Sequence, residues 1–274
     1  MKAGECDPYV EQLRHFRRVI REGEAPLVSA TLLPWRLHKI DLTAPKLAVT
    51  GPGATVGIEA LTAQLQLEDG RAKSLTAEGV AAKARHRGED LGSADRAALV
   101  IDHFDPAVTD WQTESFIGRV SLRGTRPAAR SASQMPFEEP YDLDLDGAIK
   151  GPAADLARWR DGGGTVDLRR MVLVWGPLKV DGKGTVALDG EMRPLGAGTA
   201  KLQGLSPTLD RLVARGQVKA QDASVAKIVL GLLAQPTAEG GSEVTAPITA
   251  QNGRLFLGPV SILTLPRLAA PAGT

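Results

Sequence analysis

Three aspartates at alternate positions, Asp142, Asp144 and Asp146, followed by Gly147, are the sequence's nearest approach to a metal loop. The order D-x-D-x-D-G opens a calcium-binding loop, in which alternate carboxylates wrap a hard cation and the glycine makes the sharp turn. Here Ala153 stands at the twelfth position, where a bidentate glutamate belongs, and Leu143 and Leu145 alternate with the acids as in a strand. We read the three carboxylates as the wetted face of that strand.

Two glycine-rich runs come close to phosphate cradles. Residues 51–57, GPGATVG, depart from G-x-G-x-x-G spacing, and the alternation after them predicts a strand. Without a helix N-terminus no dipole faces a pyrophosphate. Residues 176–185, GPLKVDGKGT, are one residue too long for a phosphate-binding loop, and Gly184 follows Lys183 where a hydroxyl would ligate magnesium. Both runs are read as turns. The four histidines, His15, His38, His86 and His103, stand apart, and a single cysteine, Cys6, completes no zinc spacing. His103, near Asp105, is read as a surface histidine beside a turn, and no G-x-S-x-G elbow occurs. No catalytic, cofactor-binding or metal residue is assigned, and the expectation is a protein that is not an enzyme.

The elements that carry these residues are mostly strands. In residues 57–68 the set Leu61, Ala63, Leu65 and Leu67 alternates with Thr62, Gln64, Gln66 and Glu68, and Asp69-Gly70 supplies a hairpin turn. Further strands are predicted about residues 74–85, 95–103, 116–122 and 141–150. Residues 125–140, rich in Pro, Ala, Ser and Arg, form a loop and the alternative point of subdivision. A short helix over 152–160 ends at Asp161-Gly162-Gly163-Gly164, where three glycines allow a tight reversal. In the next strand Val166 and Leu168 share one parity and Met171, Leu173 and Trp175 the other, so Arg169-Arg170 is predicted to be a bulge. Gly176-Pro177 and Gly258-Pro259 are expected to make equivalent turns, and Asn252-Gly253 a hairpin.

Two helices are predicted over 207–214, with Ser206 as N-cap, and 224–234, whose wide apolar stripe is expected to cover a sheet face. Residues 7–23 form an amphipathic helix with Val10, Leu13, Phe16 and Ile20 on one side and arginines on the other. It fits an ordinary docking helix or a membrane-surface helix. The expected domains are residues 1–26 (helix and linker), 27–268 (one sheet domain) and 269–274 (tail).

Composition agrees with many short strands: in 274 residues there are 30 Gly and 18 Pro, with 43% hydrophobic but only 4% aromatic residues. Thirty-three basic against thirty-two acidic side chains leave a net charge of +1, which provides no field to attract nucleic acid. The longest apolar candidate for a membrane span, residues 225–234, is short and contains Lys227. The N-terminus, with Gly4, Glu5, Cys6 and Asp7 after Lys2, lacks a signal-peptide core, so the chain as written is expected to be soluble.

One group of residues resembles the alphaproteobacterial domain-of-unknown-function 2125 family. It comprises Leu156-Ala157-Arg158-Trp159-Arg160-Asp161-Gly162-Gly163, Leu173-Val174-Trp175-Gly176-Pro177-Leu178, Leu188-Asp189, Pro194-Leu195-Gly196, Asn252-Gly253-Arg254-Leu255, Leu257-Gly258-Pro259 and Leu265-Pro266-Arg267-Leu268. Leu33-Pro34-Trp35-Arg36-Leu37, with Asp41-Leu42 and Pro45-Lys46-Leu47, extends it upstream. The resemblance implies a periplasmic protein at the inner membrane, although this chain lacks the family's usual anchor. By analogy of fold it also implies likeness to AsmA-like envelope proteins that shield lipid in an apolar groove.

The expected fold is mainly β (α+β): a long curved antiparallel sheet meander with a few covering helices. The expected partner is a lipid or another hydrophobic ligand, with a membrane surface nearby and no cofactor. The ligand face would be Leu173, Trp175, Val186 and Leu188 on the sheet with Val225, Ile228, Val229 and Leu232 on the second long helix. The alternatives are a ligand-free structural or interaction module of the envelope and a hydrolase.

Overall fold

Alternation of apolar and polar residues, cut by turn formers, builds strands that each have one wet and one dry face. The computed structural model describes residues 27–268 except 34–35, 52–53, 70, 87, 106, 129–136, 138, 153–155 and 238–240. The amphipathic segment 7–23 and the tail 269–274 lie outside the described residues.

Sixteen strands form one sheet. They are β1 (Leu27–Leu33), β2 (Arg36–Ala44), β3 (Leu47–Gly51), β4 (Ala54–Ile58), β5 (Ala60–Glu68), β6 (Arg71–His86), β7 (Glu89–Phe104) and β8 (Glu114–Pro127). There follow β9 (Tyr141–Lys150), β10 (Thr165–Trp175), β11 (Leu178–Leu188), β12 (Pro194–Gln203), β13 (Gln235–Pro236), β14 (Ser242–Gln251), β15 (Arg254–Leu257) and β16 (Val260–Thr264). The helices are α1 (Leu156–Asp161), α2 (Leu205–Ala214) and α3 (Ala220–Leu233). The path runs β1-β2-β5-β6-β7-β8-β9-β10-β11-β12-β14-β15-β16, antiparallel at every step; β4 pairs with β3 and β6, and β13 with β14. This is the expected mainly β, curved antiparallel meander, and β8 pairs directly with β9 across the 125–140 stretch.

Local chemistry explains the turns. Asn252 and Gly253 both take left-handed angles, φ 53° and 68°, as a tight hairpin requires. Gly176 and Gly258, at φ 54° and 56°, open matching Gly-Pro turns, the second of which separates β15 from β16. The register shifts at Leu168/Met171, so Arg169-Arg170 is a bulge, and the parity change leaves Val166, Leu168, Met171, Leu173 and Trp175 on one face.

Two tryptophans hold the start of β10. Trp159 of α1 is buried, and its indole Nε1 donates to the Lys150 carbonyl at 2.7 Å. A Cβ on Gly164 would lie 2.3 Å from that indole, and one on Gly162 would lie 2.1 Å from the ring of Trp111. The glycine run thus makes room for two rings as well as reversing the chain through Gly163 at φ 81°.

The helices differ from expectation. The N-cap of α2 is Gly204, left-handed at φ 73°, with no side-chain cap; Thr208 instead donates its hydroxyl to the Gly204 carbonyl. Ser206 therefore lies inside the helix. The apolar stripe of α3 does not cover the sheet: Val225, Ile228, Val229 and Leu232 are 58, 67, 48 and 82% exposed. Helical periodicity identified the stripe correctly, but α3 buries the small Ala223 instead. The buried cluster of the sheet is small, Val180, Ala200 and Leu202, with Met171, Leu173, Leu178, Leu205, Ala246, Ile248 and Leu257 packed against it.

Trp159→Ala should lower the unfolding free energy by about 3–5 kcal/mol. Trp159→Phe, which keeps a ring but deletes the buried donor, should cost about 1–3 kcal/mol. Urea denaturation of both variants measures the two contributions.

Candidate functional site

Because side chains alternate across a strand, residues opposite each other in register share a face. Following the register across the sheet gives one apolar row: Ala44, Leu61, Gly79, Ala97 and Leu122, each opposite the next. It continues through Leu143, Leu173, Val180, Leu202 and Val244. Four residues along, on the same face, a parallel row runs Leu75, Ile101, Gly118, Gly147, Leu168, Gly184, Gly198 and Ile248. A third joins Phe116, Ile149, Val166, Val186 and Gly196. In the first row Ala44, Leu61, Val180, Leu202 and Val244 are buried, whereas the second and third rows are half-buried except at Gly118, neither sealed as in a core nor fully wetted.

The glycines in the second row set the shape of this face. A Cβ on Gly147 would come within 2.6 Å of the Asp167 carbonyl oxygen, and one on Gly198 within 2.2 Å of that of Lys183. The corresponding distance from Gly184 to the Ala197 oxygen is 2.6 Å. A side chain on a flat sheet stands clear of the neighbouring strand, so these approaches mean that β9–β12 close toward the apolar face along a glycine crease. Beside the crease a hollow of about 290 Å³ opens among Asp167, Leu168, Arg169, Lys183, Gly184, Thr185, Gly198 and Thr199.

The reverse face is largely polar. Asp144 accepts from the Ser121 hydroxyl at 2.6 Å and from Arg123 at 2.7 and 2.9 Å, while Asp142 accepts from the Gly124 amide at 2.8 Å. Arg170 pairs with Asp181 at 3.2 Å, and Lys201 with Glu243 at 2.8 Å. The aspartates that imitate a calcium loop thus lie on strand β9, and two of them bind neighbouring strands; among the described residues no acidic or histidine group is placed to hold a metal ion.

Among the described residues, three carboxylates are held below their ordinary values. Partial burial would raise Asp144, but the Ser121 hydrogen bond and the Arg123 pair outweigh it. Glu243 is lowered first by its hydrogen bond from Lys201, and Asp110 by that from Thr113. Groups stabilised in their charged form serve as ion-pair partners rather than as proton donors. Tyr141 moves up through burial.

The expected ligand residues fall into two places. Leu173, Trp175, Val186 and Leu188 do share the apolar face. Trp175, however, is a closed wall: it meets Phe137 edge-on at 5.5 Å and Tyr141 at 5.3 Å, and its Nε1 donates to the Glu139 carbonyl at 2.8 Å. Val225, Ile228, Val229 and Leu232 stand on α3, outside the sheet face. Sequence reasoning left out Leu75, Ile101, Val120, Leu143, Leu145 and Ile149, which extend the face over β6–β9. Alternation within each strand was their signal, but only the pairing register joins them.

Two outcomes test this geometry. Gly198→Ala should destabilise the protein by about 1–3 kcal/mol by forcing a strand apart, whereas Gly231→Ala, in open space on α3, should stabilise it by up to about 1 kcal/mol. Chemical denaturation reads both. Because the folded pKa of Asp144 lies below its ordinary 3.8, its stabilisation is present above that value and is lost as pH falls through the folded one. The stability gap between wild type and Asp144→Asn should therefore hold above about pH 5 and shrink as the pH falls below 3.8, measured by thermal melts.

A comparison with curated proteins returned no match. A family match does cover most of the chain, residues 21–266, and takes in the paired strands, the tryptophan-glycine corner and the terminal hairpins. With the sheet and its signature residues in place, the chain belongs to the family described as an uncharacterized protein conserved in bacteria, DUF2125.

Proposed function

We propose that this protein binds an elongated hydrophobic ligand, the acyl chain of a lipid, along the apolar face of its sheet, and works in the cell envelope beside the inner membrane. The observation that carries this reading is the set of apolar rows on one face, half-buried at most of its residues, which the stripe of α3 does not cover. Such a face lowers the free energy of an alkyl chain through non-directional contact and selects by length rather than by headgroup. No helix among the described residues is long and apolar enough to cross a membrane.

A second reading, an envelope interaction module, is favoured by the edges at β1 and β16, which no further strand among the described residues covers, the latter with Val260 and Ile262 exposed. Unpaired edge groups can template another strand.

The protein purified without detergent should carry lipid detectable by native mass spectrometry and by solvent extraction. Delipidated protein should bind alkyl carboxylates with affinity rising roughly fourfold per methylene, from about 0.8 kcal/mol each, until the face is filled. Val186→Glu should weaken that binding by at least roughly tenfold. Absence of both co-purifying lipid and chain-length dependence would sink the reading.

A further inference from the structure

The α2–α3 hairpin displays its largest apolar side chains instead of burying them. Ala223 is buried and Ala226, Lys227 and Leu230 are half-buried on the inner side of α3, where Lys227 pairs with Asp210 of α2. Val225, Ile228, Val229, Leu232 and Leu233 form the outer stripe, 48 to 82% exposed. The hairpin is rooted in the sheet through Leu205, which packs against the Val180–Ala200–Leu202 cluster.

We propose that α3 is a docking element that seats this protein on an anionic lipid surface. Charge supports that occupant: residues 205–234 hold four basic side chains, Arg211, Arg215, Lys219 and Lys227, against two acidic ones, Asp210 and Asp222, with Arg211 paired to Glu139 and Lys227 to Asp210, whereas the whole chain is nearly neutral. Arg215 and Lys219 are exposed at the turn that leads into α3. The shape supports it too. A 14-residue helix about 21 Å long carries the stripe as a narrow convex ridge, a form that sinks into a headgroup layer more readily than it fits a broad protein interface. Apolar residues sunk at the headgroup boundary with cations beside them are what an interfacial helix needs. This docking does not require the sheet face to hold a ligand.

The test is sedimentation of the full-length chain with phosphatidylcholine vesicles, with and without phosphatidylglycerol. Wild type should bind the anionic vesicles, and less so as salt is raised. Leu232→Asp and Ile228→Asp, both at exposed positions, should keep the wild-type melting temperature and lose on the order of tenfold or more in vesicle partitioning. Arg215→Gln with Lys219→Gln should weaken binding to anionic vesicles only. The proposal is overturned if wild type ignores both vesicles, if the aspartate variants bind as well as wild type, or if light scattering shows a dimer that Leu232→Asp dissociates. Alkyl carboxylate binding by Leu232→Asp without vesicles should stay at the wild-type level, which separates failure of docking from failure of the ligand face.

Discussion

Cross-strand register is the constraint on which the rest of this molecule depends. A strand's side chains repeat every two residues, so a slip of one residue anywhere would turn a whole strand's aliphatic set into water. The sheet avoids this over its long antiparallel path by placing bulges where the sequence changes parity. At Arg169-Arg170 the extra residue lets Val166 and Leu168 share a face with Met171 and Leu173. Related shifts occur in the β6–β7 and β7–β8 pairings. The β7–β8 shift likewise sets Phe104 opposite Phe116, so that the apolar row continues past Ile101.

The residues that mark the family are, in this light, mostly structural. Trp159 and the glycines after it lock the corner where β9 gives way to β10, and Trp175 closes the opposite end under Phe137 and Tyr141. Asp189 accepts from the amides of Glu191 and Arg193, which turns β11 into β12 and buries Met192. Leu268 donates its amide to the Met192 carbonyl, tying the last described residue to that turn. These contacts fix strand ends, and the broad faces between them remain free for a binding role.

An open single layer must satisfy both its faces without a second sheet. The polar face does so with ion pairs that are largely solvent-exposed, each contributing little to stability but keeping the face wet. The apolar face curls on itself along the glycine crease, which removes area from water without sealing it. Helix α3 adds exposed aliphatic surface to a chain that already carries an open apolar face. The proposed ligand and lipid-surface roles both follow from apolar surface that the fold leaves available.

Much of the architecture was legible in the sequence because its signals are local. Alternation in residues 141–150, left-handed turn residues at Asn252-Gly253 and the parity change at Arg169 each act within a few positions, and all appear as expected. The same locality excluded the calcium-like and phosphate-like runs, since strands were already implied. Tertiary structure alone decided which residues make the face, because register joins Leu75, Leu143 and Val244 across large sequence separations. It alone decided the orientation of α3 as well. An apolar stripe specifies that a helix has a dry side, but what that side meets depends on where the neighbouring elements stand.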